Sequence, residues 1–174
     1  MNSSALPDLS DMQDAGMEQR YLTFWSNNQL FGTPIADIVQ IVGIQEITPL
    51  PDFPAYVKGI ISLRGDVLPI LNMRLRMGNP ETPYTERSCI IIANIQNTLF
   101  GFIADEVDEV LDIPQEQISS PPRLSDNVSN AYLSGIGRLE KGEGKKERVA
   151  LILDLSKLLN ESEFSALAQA VQPE

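Results

Sequence analysis

The chain carries the same series of short sequence blocks twice, and this internal repeat is the feature that most restricts its fold. Leu30-Phe31-Gly32 returns as Leu99-Phe100-Gly101, and an Ile-Ala-Asp tripeptide follows each copy within a few residues. Tyr56-Val57-Lys58-Gly59-Ile60 returns, in the same order, as Tyr132-Leu133-Ser134-Gly135-Ile136. Such a pattern indicates two related units that share an interface, because neither half is large enough to be stable alone. A common strand composition is the alternative explanation.

Each copy has the pattern of short β-strands. The segments are rich in β-branched and aromatic residues and are separated by Gly, Asn or Pro. The predicted strands are 21–25, 29–32, 38–44, 59–64, 67–71, 88–95, 99–104, 107–113, 135–140 and 148–153. Five short strands in each copy predict two small barrels, which leave no free sheet edge.

The two ends of the chain and one loop have other patterns. Apolar residues at helical spacing predict a C-terminal helix over 156–171, with Ser156 or Asp154 as its N-cap. Its apolar stripe is expected to dock on the barrels and consists of Leu158, Leu159, Phe164 and Leu167. The polar segment 1–17 predicts a disordered tail. The charged, glycine-containing segment 140–148 predicts a mobile hairpin loop.

Charge and hydropathy exclude several classes of partner. A net charge of −11 argues against nucleic acid and against anionic membrane surfaces, because both attract clustered Lys and Arg. The sequence has no apolar run long enough to insert in a membrane and no secretory signal at its start. A basic protein partner stays open, and the single cysteine, which can form no intrachain disulfide, favours a reducing cytoplasm.

The residues that most enzymes use are missing. The sequence contains no histidine and no phosphate-binding glycine loop, and Cys89, its single cysteine, lies in an apolar run typical of a buried, inert thiol. Acidic residues cluster at Asp105, Glu106, Asp108, Glu109 and Asp112. An exposed strand face explains this cluster better than a cation site does, so we expect no metal, no cofactor and no catalysis. An enzyme with an unrecognised acidic site stays open as an alternative.

The segment 56–74 carries the most specific motif. Arg64-Gly65-Asp66 follows an apolar strand and predicts a tight turn, after which Val67 to Leu71 form the next strand. With Ser62-Leu63 before it and Asn72-Met73-Arg74 at its end, the segment resembles the signature of the CheW family. The resemblance extends from about Glu18 to Leu159.

The resemblance implies a fold and a function. It implies an all-β fold of two five-stranded, SH3-like barrels packed together, within a single domain at 18–174. The first barrel would span roughly 20–85, the second roughly 86–155, and a C-terminal helix roughly 156–171. Proteins of this family are non-catalytic chemotaxis adaptors. Their partners are the regulatory domain of the histidine kinase CheA and the cytoplasmic tip of methyl-accepting chemoreceptors, in arrays at the inner face of the membrane.

The resemblance also implies two sets of binding residues. The receptor-binding groove would comprise Ile38, Val39, Gln40, Ile41, Arg64, Gly65, Cys89, Ile91, Val107 and Val110. The kinase-binding surface would comprise Leu68, Leu75, Met77, Ile118, Ser119, Arg123 and Leu124. Ordinary core packing is the alternative role of each apolar residue in the groove.

Three positions depart from the family pattern. Gln40 stands where Glu is usual, so a salt bridge to Arg64 is replaced at best by a hydrogen bond. Ser62 stands where Asn is usual, and Asn72 where Asp is usual. These departures leave open a divergent scaffold of another chemosensory system, such as one for pilus motility. A duplicated SH3-like module that binds peptides is a further alternative.

Overall fold

The computed structural model describes residues 19–120, 132–139, 148–158 and 161–170. The first five strands are β1 (Arg20–Ser26), β2 (Gln29–Pro34), β3 (Ile38–Gly43), β4 (Val57–Leu63) and β5 (Asp66–Asn72). The next six are β6 (Cys89–Ile95), β7 (Thr98–Ala104), β8 (Glu106–Asp112), β9 (Ile118–Ser119), β10 (Leu133–Leu139) and β11 (Arg148–Leu153). The α-helices are α1 (Met73–Arg76) and α2 (Glu161–Ala170).

The predicted all-β class is confirmed, and every predicted strand is present within a few residues of its expected bounds. Among the strands of the described residues, β9 alone was not predicted, because a strand of two residues is too short to show a periodic pattern. Three predicted features lie outside the described residues: the tail 1–17, most of the loop 140–148, and the two kinase-binding candidates Arg123 and Leu124.

The strands form two sheets with matching order. Sheet A has the order β8-β1-β2-β11-β10-β9, and sheet B has the order β3-β6-β7-β5-β4. In each sheet an antiparallel hairpin meets a parallel strand at a repeat-related glycine, where Gly32 faces Ile152 and Gly101 faces Ile70. The sequence repeat is therefore a repeat of structure, and shared composition does not explain it.

The two copies exchange a hairpin. The β1–β2 hairpin of the first copy joins sheet A, whose other strands come from the second copy. The β6–β7 hairpin of the second copy joins sheet B among strands of the first. The predicted division of strands between 20–85 and 86–155 is therefore wrong. The β1–β2 and β6–β7 hairpins have the same sequence pattern. The local sequence therefore does not indicate whether each hairpin joins the strands of its own copy or those of the other copy.

The predicted closure of each barrel is also wrong. Among the described residues, neither ladder pairs its first strand with its last. In sheet B a single bridge between Thr48 and Ile60, with hydrogen bonds of 2.9 and 2.8 Å, ties the segment after β3 to β4. Register shifts typical of bulges interrupt the β3–β6 and β4–β5 pairs, and the hydrogen-bond ladders of the described strands stay open.

The largest cluster of buried side chains lies between the sheets. Phe24 of sheet A contacts Phe31 in its own sheet and Phe102 of sheet B, with ring centroids 5.6 and 5.3 Å apart. Each sheet also has a smaller cluster of its own, around Ile152 in sheet A and Ile70 in sheet B. Alternate side chains of a strand point to opposite faces, so each sheet packs on both sides. The expected shared interface is present.

The C-terminal helix begins later than predicted. A 3-10 turn occupies Leu155–Lys157, and the side chain of Asp154 caps this turn by accepting from the backbone N–H of Ser156 at 3.1 Å. The α-helix itself begins at Glu161. Leu158 and Leu167 are buried in the central cluster, as the predicted docking stripe requires. The side chains of Leu159 and Phe164 lie outside the described residues.

Candidate functional site

Four apolar residues of the predicted receptor groove lie on edge strands of the two sheets and are at least partly exposed. Strand β3 is an edge of sheet B and β8 is an edge of sheet A. Val39 on β3 is 45% exposed, which is unusual for a large apolar side chain in a strand. Ile41 on β3 and Val107 and Val110 on β8 are half-buried against the same central cluster. We call these four residues the edge-strand face.

The structure divides the predicted receptor groove into surface and core. Val39, Ile41, Val107 and Val110 reach the surface, whereas Ile38, Cys89 and Ile91 are buried in the central cluster. Those three side chains belong to the core. The sequence could not separate the two groups, because apolar residues predict a strand but not which of its faces is covered.

Cys89 is an inert core thiol in this structure. It is 2% exposed, and burial raises the pKa of its thiol to about 12. A thiol with such a pKa carries almost no thiolate at neutral pH, so it is neither a nucleophile nor a redox group. The expectation drawn from its apolar surroundings is confirmed.

Gln40, Arg64 and Gly65 are not brought together. Arg64 and Gly65 have φ values of 53° and 90° and form the two-residue turn between β4 and β5, while Asp66 already pairs with Leu63. Gln40 is on β3, at the other end of the strand order of sheet B. No hydrogen bond joins Gln40 to Arg64 among the contacts of the described residues. The guanidinium of Arg64 is exposed to solvent instead.

The predicted kinase-binding residues are dispersed. Leu68 is buried inside sheet B, whereas Leu75 on α1 and Met77 just after it are half-buried. Ile118 and Ser119 form β9, which is an edge of sheet A. The sequence reading missed two exposed valines, Val67 and Val149, which are 39% and 42% exposed at the starts of β5 and β11. Val67 and Val149 occupy equivalent positions in the two copies of the repeat, and this equivalence was the sequence signal that could have drawn attention to the pair.

A charged cluster joins the two sheets beside the edge-strand face. The guanidinium of Arg74 donates from Nε to Oδ1 of Asp105 at 3.1 Å and from Nη2 to Oδ2 at 2.8 Å. Its Nη1 donates to Oδ1 of Asn27 at 3.0 Å, and the backbone N–H of Asn27 donates to Asp105 at 2.8 Å. A two-pronged contact of this kind fixes direction as well as distance.

A second arginine lies between two repeat-related aromatic rings. The guanidinium carbon of Arg76 is 5.3 Å from the ring centroid of Tyr56 and 5.4 Å from that of Tyr132. Its Nε donates to the backbone carbonyl of Leu158, just before α2. Burial raises the pKa of the Tyr132 hydroxyl, and the nearby Arg76 charge opposes that shift. Arg76 thus links the two copies at positions that the repeat makes equivalent.

Three of the four acidic residues of β8 pair with protein cations. Arg148 contacts Asp108 and Glu109 at 3.2 Å each, and Arg20 contacts Asp112 at 3.2 Å. Thr23 also donates its hydroxyl to Asp108 at 3.0 Å. No group of three or more His, Cys, Asp or Glu side chains suited to a metal ion occurs in the described parts of the chain. Within those same parts, no helix is long and apolar enough to cross a membrane.

The fold and the edge-strand face define a β-sheet scaffold, and comparison with known proteins gives its family. The sequence profile of the CheW-like domain matches residues 20–163. The chain therefore belongs to the CheW-like domain family, and it is a chemotaxis scaffold and not an enzyme.

Individual relatives cover nearly the whole chain. The chain is 28% identical to the chemotaxis protein CheW of Klebsiella aerogenes, over 93% of this chain and 94% of that protein. It is 30% identical to the chemotaxis protein CheW of Treponema pallidum, over 84% and 85%. It is 27% identical to the protein FrzA of Myxococcus xanthus, over 94% and 99%.

A solved structure has the same fold. The crystal structure of the scaffolding protein TtCheW from Thermoanaerobacter tengcongensis superimposes with a TM-score of 0.73 at 28% identity. The match covers 84% of this chain and 96% of that one. Family, relatives and fold therefore agree on a chemosensory scaffold with protein partners.

Proposed function

We propose that this chain couples chemoreceptors to the histidine kinase CheA and helps to build their array at the inner face of the membrane. The observation that carries the proposal is the edge-strand face, in which an edge strand of each sheet carries partly exposed apolar side chains and three of the four pack against one core cluster. Such a face suits the apolar side of a helical hairpin, which is the shape of a receptor tip. Membership of the CheW-like domain family supports the same role.

The receptor would contact the exposed part of the predicted groove. Burying a fully exposed apolar side chain on binding contributes about 1.5–3 kcal/mol, so Val39, the most exposed of the four, would contribute most and Ile41, Val107 and Val110 less. Ile38, Cys89 and Ile91 would keep this surface in shape without touching the receptor. Arg64 and Gly65 would act from the β4–β5 turn, and Gln40 from β3 itself.

The kinase would bind elsewhere on the chain. Leu75, Met77, Ile118 and Ser119 are accessible in part, and Arg123 and Leu124 follow β9 in the sequence. Leu68 is buried, so its exposed neighbour Val67 is the better candidate for direct contact. Separate surfaces would allow one scaffold to hold a receptor and the kinase at once.

Binding of purified protein to two partners tests the proposal. The wild type would be titrated with a receptor cytoplasmic fragment and with the isolated CheA regulatory domain, beside Val39→Asp and the control Val149→Asp. Both valines are similarly exposed, at 45% and 42%, so neither change should disturb the core. Val39→Asp should weaken receptor binding more than about tenfold and leave kinase binding unchanged. Val149→Asp should leave receptor binding unchanged.

Two results would contradict the proposal. The first is that folded wild type binds neither partner at concentrations up to roughly 100 µM, the weak end of specific complexes. The second is that Val39→Asp and Val149→Asp weaken receptor binding equally, which would place the contact away from the edge-strand face. Circular dichroism of each variant would show that folding is unchanged.

A scaffold of another chemosensory system is the second candidate. The observation in its favour is the match to the protein FrzA of Myxococcus xanthus over nearly the whole of both chains. The departures at Gln40, Ser62 and Asn72 fit a changed receptor partner. Receptor fragments from each chemosensory system of the source organism, titrated in parallel, would separate the two candidates by which fragment binds tightest.

A further inference from the structure

The cluster of Arg74, Asp105 and Asn27 lies at a crossing between the sheets. Ala104 ends β7 in sheet B, Asp105 is the next residue, and Glu106 begins β8 in sheet A. Asp105 is therefore the residue at which the chain changes sheets. Its backbone N–H donates to the carbonyl of Trp25 on β1 at 2.9 Å, and its carboxylate accepts from Arg74 and Asn27.

Arg74 reaches this crossing from sheet B. It lies on α1, directly after β5 of sheet B, and Asn72 caps that helix by accepting from the N–H of Leu75 at 3.0 Å. Asn27 belongs to the turn of the β1–β2 hairpin in sheet A, with a φ of 52°. One guanidinium thus joins three segments: the helix after β5, the β1–β2 turn and the start of β8.

The start of β8 is also where the edge-strand face begins. Val107 follows Asp105 by two residues and Val110 by five, while Val39 and Ile41 belong to sheet B. The relative position of β8 and β3 therefore decides whether the four side chains form one surface. A site keeps its geometry only when the residues behind it hold it there.

We propose that Arg74 is a positioning residue for the partner-binding face, because it fixes the crossing from β7 to β8. The inference rests on the proposed function, and it assigns no contact between Arg74 and a partner. The side chain of Arg74 is 20% exposed and its three donor nitrogens are engaged inside the protein. A lysine at this position would keep the charge but lose the fork that reaches Asp105 and Asn27 together.

Hydrogen exchange and receptor binding test the inference on Arg74→Ala and Arg74→Lys. The matched control is Lys58→Ala, which removes the ion pair between Lys58 and Glu81 at 2.6 Å. The two ion pairs are similarly exposed: the side chains of Lys58 and Glu81 are 28% and 36% exposed, and those of Arg74 and Asp105 are 20% and 34% exposed. Lys58 is on β4, away from β8 in the strand order. Amide exchange would be followed in β8 and, for comparison, in β6 and β7.

Both Arg74 variants should show amide exchange in β8 accelerated by roughly tenfold or more, with β6 and β7 unchanged. Receptor binding should weaken by about tenfold, equal to about 1.4 kcal/mol, and Arg74→Lys should not restore it. Lys58→Ala should leave β8 exchange and receptor binding as in the wild type.

The outcomes separate the inference from the proposed function. Unchanged β8 exchange in Arg74→Ala overturns the inference, whatever the binding result. Faster exchange with wild-type affinity overturns the positioning role, and so does full rescue by lysine. If the wild type itself binds no receptor fragment, the proposed function fails. The exchange data then decide alone whether Arg74 holds the crossing.

Discussion

Sheets A and B have the same strand order, but the two places where the chain crosses between them differ in charge. The crossing from β7 to β8 places Asp105 against Arg74. The crossing from β2 to β3 places Asp37, of the same Ile-Ala-Asp block, near Asp154. Asn72 and Asp154 are equivalent N-caps of the short helical turns that follow β5 and β11. Arg74 lies two residues after Asn72, so its equivalent in the other copy is Ser156, two residues after Asp154.

The two equivalent aspartates therefore lie near charges of opposite sign: Asp105 near the guanidinium of Arg74, and Asp37 near the carboxylate of Asp154. Burial raises the pKa of Asp37, and the negative charge of Asp154 raises it further. Asp154 accepts from the hydroxyl of Ser156 at 2.6 Å and has a long contact of 3.9 Å to Lys157. At one crossing a carboxylate of the second copy meets a cation of the first, and at the other a carboxylate of the first copy lies near a carboxylate of the second. The same fold thus places opposite charges beside its two equivalent aspartates.

The repeat-related glycines Gly59 and Gly135 give the largest expected difference between the copies. Gly59 has a φ of +143°, and a Cβ there would lie 2.0 Å from the carbonyl oxygen of Thr48. A Cβ at Gly135 would lie 2.7 Å from Cγ2 of Ile118, a side chain at an edge strand. Gly59→Ala should destabilise the protein by about 4 kcal/mol or prevent folding, and Gly135→Ala by about 1–2 kcal/mol.

Urea denaturation of both glycine variants measures the difference. The wild type is the reference, and equal m-values would show that the free energies of unfolding are comparable. Equal losses of stability in the two variants would contradict the view that the close approach of the Thr48 carbonyl makes Gly59 less tolerant of a Cβ than Gly135.

The two crossing aspartates should respond to the same substitution with opposite sign. Asp105→Asn removes the charge that Arg74 needs and should destabilise the protein by about 1–2 kcal/mol at pH 7. Asp37→Asn removes one of two neighbouring negative charges and should stabilise it by about 0.5 kcal/mol. Thermal unfolding at pH 7 tests the pair, and a loss of stability in Asp37→Asn would show that burial and Asp154 do not disfavour the ionised Asp37 in the folded state.

The pH dependence of the Asp37 effect is the smallest and sharpest test. The pKa of Asp37 in the folded state is raised above the ordinary value of 3.8, so protonation is easier in the folded chain than in the unfolded chain. Ionised Asp37 therefore costs stability in full above its folded pKa, and that cost disappears as the pH falls towards 3.8.

The advantage of Asp37→Asn over the wild type should accordingly shrink between pH 7 and pH 4. Denaturant melts of the wild type and of Asp37→Asn across this range would show it. An advantage that grows as the pH falls would mean that the Asp37 carboxylate is stabilised in the folded state.

Much of the fold could be predicted because its signals are local. Alternating β-branched residues, Gly and Asn predicted the strands, and Arg64-Gly65 has the chemistry of a two-residue turn. The start of α2 was predicted too early because the 3-10 turn at Leu155–Lys157 has the same apolar spacing as a helix. The candidate site was predicted only as a mixture of surface and core.

The amino-acid sequence by itself determined the all-β class, the repeat and the absence of histidine chemistry, because these depend on composition and on contacts between near neighbours. The tertiary structure alone decided the exchange of hairpins, the exposure of Val39 and the burial of Ile91. It also brought Arg74 to Asp105, 31 residues away in the chain. These features depend on which sheet each strand joins. Because the two copies have the same local sequence pattern, that pattern does not indicate which of the two sheets a given hairpin joins.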